Sequence, residues 1–144
     1  MYKQFGAALF LWAGLSGCAF LQPEPYHTVT DISQIQGDWL IQTVEGKKPQ
    51  REHATARFRV TDGGFVASLG CNGISLPGQI TRSGVFVTSE EIDSMMTVKG
   101  CWHKWTEEKE SDLYNLFQNQ PVITLSGTSY MRISDGVTVV QARK

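Results

Sequence analysis

The chain has 144 residues, 41% of them hydrophobic and 19% charged, which predicts one domain with a packed core and excludes two full domains or a disordered chain. Lys and Arg total 13 against 14 Asp and Glu, so the formal net charge of -1 supplies no positive surface for nucleic acid. The three cysteines are an odd number, which has to be explained before any disulfide is drawn.

The first 17 residues have the pattern of an export signal. Lys3 precedes an uncharged apolar run from residue 5 to residue 15, which would span about 16 Å as a helix, roughly half the thickness of a bilayer core. The run ends in Leu15-Ser16-Gly17-Cys18, which resembles the signal of bacterial lipoproteins, where small residues precede a cysteine that becomes the acylated N-terminus. A buried N-terminal helix is the alternative, but it does not explain these small residues. We therefore predict a signal peptide at residues 1–17 and lipid attachment at Cys18.

Lipid attachment at Cys18 predicts a location and a tether. Several acyl chains on one N-terminus give stable membrane anchoring, and the resemblance to lipoproteins implies that Ala19 directs the protein to the outer membrane, facing the periplasm. Residues 18–34 contain Pro23 and Pro25 but little apolar periodicity, so we predict a flexible tether in which His27 is solvated. The folded domain is then expected at residues 35–144.

Short apolar stretches separated by Gly, Asn and Asp predict that this domain is rich in β-strands. The pattern is clearest at residues 54–61, where Phe58 and Val60 alternate with two arginines, as in a half-buried strand. Residues 90–100 fit a helical face or a strand equally well. The predicted strands occupy residues 38–44, 54–61, 65–69, 76–81, 85–88, 121–125, 129–133 and 137–142.

One amphipathic helix is predicted between the two groups of strands. Thr106 provides a hydroxyl cap, and Leu113, Leu116 and Phe117 share one face before Pro121 ends the pattern. Together these elements predict an α+β, β-rich fold, a small and mostly antiparallel sheet or barrel with one helix.

The cysteines left after acylation of Cys18 are an even pair. Export places Cys71 and Cys101 in an oxidising compartment, which favours a disulfide that closes a loop of 30 residues. Two alternatives use them differently. His103 could act as a base for a cysteine nucleophile, but nothing marks an oxyanion hole. A metal site of both cysteines with His53 and His103 lacks the usual local ligand spacing.

Other chemical groups have simpler interpretations. Glu90, Glu91 and Asp93 could form a carboxylate cluster, although three acids near the end of a strand are more typical of a solvated edge. Trp102 and Trp105 predict either an exposed aromatic patch for binding or, for Trp105, packing of the helix on the sheet. The sequence contains no phosphate-binding loop or known hydrolase motif. We therefore predict no catalytic residue, no metal and no cofactor.

A series of short motifs occurs in the order found in a known family: Trp39-Leu40, Val44-Glu45-Gly46-Lys47, Gly70-Cys71-Asn72, Gly78, Met96-Thr97, Cys101, the amphipathic helix, and Ile123-Thr124-Leu125. Together they resemble the META domain of HslJ-like bacterial lipoproteins over about residues 35–143. The Gly-Cys-Asn segment, with Met-Thr and a second cysteine about thirty residues later, is the specific part.

The resemblance implies a compact β-rich domain in the cell envelope. The family is linked to heat-shock and novobiocin tolerance and has no established catalytic activity. Carried over to this sequence, the resemblance implies that Cys71 and Cys101 form the bridge and that Asn72 and Gly78 form turns.

From these observations we expect a non-enzymatic, lipid-anchored envelope protein that contributes to envelope integrity or to stress and antibiotic tolerance through binding. The alternative is a periplasmic inhibitor or a small-ligand-binding barrel. The expected partners are the membrane, through the lipid, and an unidentified envelope protein or small ligand, but no nucleic acid.

Overall fold

Short antiparallel strands dominate the computed structural model, which describes residues 24–144. A short 3-10 helix, Ile32–Ile35, follows the first strand. The other elements are β1 (Tyr26–Thr28), β2 (Gly37–Val44), β3 (Arg57–Thr61), β4 (Gly64–Ser68), β5 (Ile74–Ile80), β6 (Phe86–Thr88), β7 (Met95–Met96), α1 (Lys104–Gln118), β8 (Val122–Ser126), β9 (Tyr130–Ser134) and β10 (Val139–Arg143).

The strands form one curled sheet in the order β1-β8-β9-β10-β2-β3-β4-β5-β6, and β7 pairs with the start of β5. The sheet closes on itself where the β6 end meets β8, because the Phe86 N–H donates to the Pro121 carbonyl over 2.8 Å and the Ile123 N–H donates to the Gly84 carbonyl over 2.9 Å. The sheet is therefore barrel-like, and the α+β, β-rich class expected from the sequence is confirmed.

Alternation of apolar and polar residues determines which faces of the strands form the core. Along β3, Phe58 and Val60 are buried and Arg57 and Arg59 are exposed, as the period of two predicts. The helix α1 turns Leu113, Leu116 and Phe117 inward and packs against β5 and β6. The largest aromatic side chains that fill the interior are Trp39, Phe58, Phe65, Phe86 and Phe117.

Two details of the secondary structure differ from expectation. The helix begins at Lys104 with His103 as its N-cap residue, and Thr106 is buried in the first turn instead of capping it. Residues 95 and 96, for which helix and strand were both open, form β7. Within residues 24–144, no helix is long and apolar enough to cross a bilayer.

The segment that precedes the domain is only partly described. The predicted signal peptide, Cys18 and the first part of the tether lie outside the described residues. The prediction of a flexible tether is wrong from residue 26 onwards, because β1 pairs with β8 and places His27 opposite Leu125. Asp31 then caps the 3-10 helix, and Val29 and Ile35 are fully buried. The sequence did not predict strand β1 because all three of its residues are exposed at the edge of the sheet. Such a strand needs no alternation of apolar and polar residues.

Candidate functional site

A disulfide joins the loop between β4 and β5 to the segment that precedes α1. Cys71 and Cys101 are bonded, with their Cα atoms 5.6 Å apart, as the sequence predicted. Gly70 leads into this bridge with a φ of +108°, and a Cβ atom at this position would lie 2.3 Å from the Ala54 carbonyl oxygen. Only glycine fits such a close approach in that conformation. The conformation at Gly70 therefore helps to place Cys71 within bonding distance of Cys101.

The buried carboxylate of Glu110 organises the loop on the other side of the disulfide. Glu110 lies on α1 and is fully buried. One carboxylate oxygen accepts hydrogen bonds from the backbone N–H groups of Cys71 and Asn72, at 3.2 and 2.8 Å. The other oxygen accepts a bond from the Asn72 side-chain amide at 2.8 Å and lies 3.8 Å from the Cys101 sulfur. A buried charge is tolerated when it is satisfied in this way.

Asn72 links this carboxylate to the segment around residues 97–99. Its side-chain oxygen accepts hydrogen bonds from the Thr97 hydroxyl at 3.1 Å and from the Lys99 N–H at 2.8 Å. The Thr97 hydroxyl in turn accepts a bond from the Gly73 N–H at 3.0 Å. Asn72 uses both ends of its amide and therefore joins three segments that are distant in the sequence.

A second buried carboxylate holds the segment just after the disulfide. Glu52 is only 5% exposed and accepts hydrogen bonds from the backbone N–H groups of Trp102 and His103, at 3.0 and 2.9 Å. Burial of Glu52 raises its pKa, but the neighbouring Thr106 hydroxyl, the two N–H donors and the charge of His103 outweigh this effect, so the net pKa is lowered. Glu52 is thus held in its charged form. We refer to the disulfide, Glu52, Asn72 and Glu110 together as the clamp.

The clamp presents one aromatic side chain to solvent. Trp102 is 63% exposed, although its backbone is bonded to Glu52, and its ring lies 4.3 Å from the His53 ring, centroid to centroid. Trp105, by contrast, is partly buried and packs against the core. The structure therefore separates the two tryptophans, and Trp102 alone is presented by the clamp.

The polar groups of the clamp are already engaged. Because Cys71 and Cys101 are bonded to each other, neither is available as a thiolate for nucleophilic attack or metal binding. The carboxylates of Glu52 and Glu110 come close to the sulfurs in two groups with the geometry of a possible metal site, one with His53 and Cys71 and one with both cysteines. In each group a sulfur is committed to the disulfide. The arrangement is suited to holding loops in one conformation.

Two residues expected to form turns have other roles. Asn72 does not adopt a positive φ; among the non-glycine residues of 24–144, Glu45 and Gln120 do. The side chain of Asn72 instead forms hydrogen bonds to Glu110 and to the Lys99 N–H. Gly78 lies within β5. A Cβ atom at Gly78 would lie 2.3 Å from the Val87 carbonyl oxygen and 2.6 Å from the Phe86 ring. Gly78 is therefore required by the close approach of β6.

Sequence reasoning missed both clamp carboxylates. Glu110 did carry a signal, because it lies three residues before Leu113 on the apolar face of α1, where a charged residue needs a buried partner. Glu52 lies in an irregular segment, where no sequence pattern indicates that it is buried. The acids that cluster in the sequence, Glu90, Glu91 and Asp93, are all exposed.

Comparison with known proteins identifies the domain. The META domain family matches residues 31–144. A solved NMR structure has the same fold, with a TM-score of 0.68 over 80% of this chain and 95% of that chain, at 14% sequence identity. No curated protein matches the chain.

Proposed function

Because the chain belongs to the META domain family, we propose that it is a non-enzymatic, lipid-anchored protein of the cell envelope that contributes to envelope integrity or to stress and antibiotic tolerance by binding another molecule. One observation carries the binding role. The exposed ring of Trp102 stands on a backbone that Glu52 holds in place. An aromatic side chain presented without loss of backbone entropy is typical of the residues that dominate binding energy.

The proposed location rests on two features of the chain. A disulfide at the centre of the clamp persists in an oxidising compartment such as the periplasm. The Leu15-Ser16-Gly17-Cys18 sequence supplies an export and lipidation signal, and Ala19 favours the outer membrane. The lipid then holds the domain at the membrane, facing the periplasm.

Mass spectrometry of the mature N-terminus tests the anchor. We expect cells to produce a chain that begins at an acylated Cys18, and Cys18→Ala to abolish the added mass of the lipid. Ser16→Ala is the matched control, because it keeps a small side chain before the cleavage site and should leave lipidation intact. A mature chain that begins elsewhere, or a Cys18 without lipid, would contradict the proposal.

Crosslinking in intact cells tests the binding role. A photoreactive amino acid in place of Trp102 should capture a defined envelope component, whereas the same amino acid in place of Val137 should not. Val137 is 85% exposed and lies in the turn between β9 and β10, so it controls for exposure alone. Equal capture at both positions, or none at position 102, would argue against a binding surface at Trp102.

A periplasmic inhibitor is the second candidate. The same exposed ring favours it, because an inhibitor presents a preorganised group to the cleft of its target enzyme. The barrel interior, in contrast, is filled by aromatic side chains such as Phe65, Phe86 and Phe117. If the component captured at position 102 is an enzyme whose activity falls on binding, the inhibitor role is favoured over a structural role in the envelope.

A further inference from the structure

The position of the first described residues limits how the anchored domain can face its membrane. The Glu24 carbonyl accepts a hydrogen bond from the Ser126 hydroxyl, so residue 24 is attached to the end of β8. Glu24 lies six positions after Cys18, and a fully extended chain over six positions spans about 20 Å. A domain of this size is about 35 Å across. A lipid on Cys18 therefore keeps the surface around β1 and the end of β8 close to the bilayer.

A row of paired residues, exposed except at the buried Ser126, crosses the sheet next to this point. The strand register places Tyr26 opposite Ser126, and Ser126 opposite Tyr130. The row then continues from Tyr130 to Arg143, Leu40 and Arg57 on β10, β2 and β3. Residues directly opposite each other in an antiparallel sheet project from the same face. We refer to Tyr130, Arg143, Leu40 and Arg57 as the cationic row.

The cationic row has the composition of a surface that contacts lipid headgroups. Tyr130 and Leu40 are 55% and 43% exposed, and the whole row spans about 14 Å over three strand spacings. Arg57 and Arg143 are exposed and make no ion pair with any residue in the described part of the chain. Tyrosine favours the membrane interface, and arginine is attracted to anionic headgroups.

The charges near the row support this orientation. Lys144 follows Arg143 but does not add to the row, because its ammonium lies 4.9 Å from the centroid of the Trp39 ring. Of the acids near the row, Asp38 is neutralised by Arg59 at 2.9 Å, and Glu24 lies at the β1 end. From Cys18 onwards the chain carries 12 cationic and 14 acidic residues, so positive charge on this face is a local feature in a slightly negative chain.

We propose that the cationic row is a membrane-contact surface that binds the anionic phospholipid headgroups of the membrane in which the lipid is inserted. This inference rests on the anchored state proposed above and adds an orientation to it. The row by itself binds weakly, since each cation near an anionic surface contributes only about fivefold to the partition coefficient. The lipid makes that weak contact effective because it holds the row at high local concentration near the surface.

Vesicle cosedimentation tests the cationic row separately from lipidation. The probe is the complete mature chain, residues 18–144, with Cys18→Ser, exported behind an ordinary cleavable signal so that it carries no lipid. We expect it to partition onto phosphatidylcholine vesicles that contain phosphatidylglycerol, but not onto phosphatidylcholine alone, and to be released by salt. The double variant Arg57→Gln, Arg143→Gln should lower the partition coefficient about 30-fold.

The control variant removes the same number of charges elsewhere. Lys99→Gln with Lys104→Gln changes two exposed side chains outside the row and should keep most of the binding. Both double variants should melt at the temperature of the unchanged chain, because none of these four side chains is buried. Equal partition onto both kinds of vesicle, or equal loss in both double variants, would overturn the inference. Absence of lipid on Cys18 in cells would instead contradict the proposed lipid anchor. The vesicle experiment would still report whether the cationic row binds anionic headgroups, because its probe carries no lipid.

Discussion

The clamp and the cationic row use charged residues in opposite ways. In the clamp, Glu52 and Glu110 are buried, and each accepts two backbone N–H groups from loops distant in the sequence. In the row, Arg57 and Arg143 are exposed on regular strands whose backbone is held by the sheet itself. The clamp carboxylates therefore stabilise the fold, whereas the row arginines are free to contact a partner. Whether a charged side chain is structural or available for binding therefore depends more on the partners it already has within the protein than on its residue type.

Removal of Glu110 should have the largest effect on stability. Glu110→Ala leaves the N–H groups of Cys71 and Asn72 and the Asn72 amide without their buried acceptor, at a cost of about 1–3 kcal/mol for each unsatisfied group. We expect the free energy of unfolding to fall by about 4 kcal/mol, measured by urea denaturation. Glu107→Ala, an exposed position on the same helix, should change it by less than about 1 kcal/mol. Similar losses in both variants would show that Glu110 is not a special acceptor.

Loss of the disulfide should have the next largest effect. Opening the 30-residue loop by Cys71→Ala with Cys101→Ala should lower the free energy of unfolding by about 3–4 kcal/mol, because the unfolded chain regains conformational entropy. Thermal denaturation with and without reductant measures it. Reductant should destabilise the unchanged protein and leave the double variant unaffected. If reductant has no effect on the unchanged protein, the bridge does not form or does not stabilise the fold.

Acidification should weaken the clamp through Glu52. Because the pKa of Glu52 is lowered in the folded state, its contribution to stability is complete above the ordinary value of 4.5 and is lost as the pH falls below that value through the folded pKa. We expect Glu52→Gln to flatten the decline of the unfolding free energy over this acidic range. The remaining slope includes Asp135, whose pKa is also lowered: burial raises it, but the Asn119 amide and backbone N–H groups outweigh that effect. Val98→Ala, at an exposed site without a titratable group, should leave the slope unchanged.

The sequence was informative wherever a local pattern decides the structure. Alternating residues in β3, the apolar face of α1 and the glycine-rich turns predicted most of the strands and the helix, because burial of one face imposes a period on the sequence. The pair Cys71 and Cys101 was found by counting cysteines in a chain that its sequence predicts to be exported, and by resemblance to the META domain. These features need no knowledge of distant contacts.

Predictions were weaker where the reason for a residue lies elsewhere in the chain. Asn72 was expected to shape its own turn, but it bonds to Glu110, Thr97 and Lys99. Gly78 was assigned to a turn, but β6 requires its small size. Strand β1 was placed in a flexible tether because an exposed edge strand leaves no apolar pattern.

By itself, the sequence determined the β-rich class, the core faces, the cysteine pair and the resemblance to a family, because each of these is recorded in local spacing or composition. Only the tertiary structure decided which carboxylates matter and which tryptophan is presented. Glu52 and Trp102 are 50 residues apart and meet through a backbone hydrogen bond. Arg57 and Arg143 share a row because β10 and β3 both pair with β2. Such neighbours are created by sheet closure and loop packing, for which hydrophobic periodicity carries no signal.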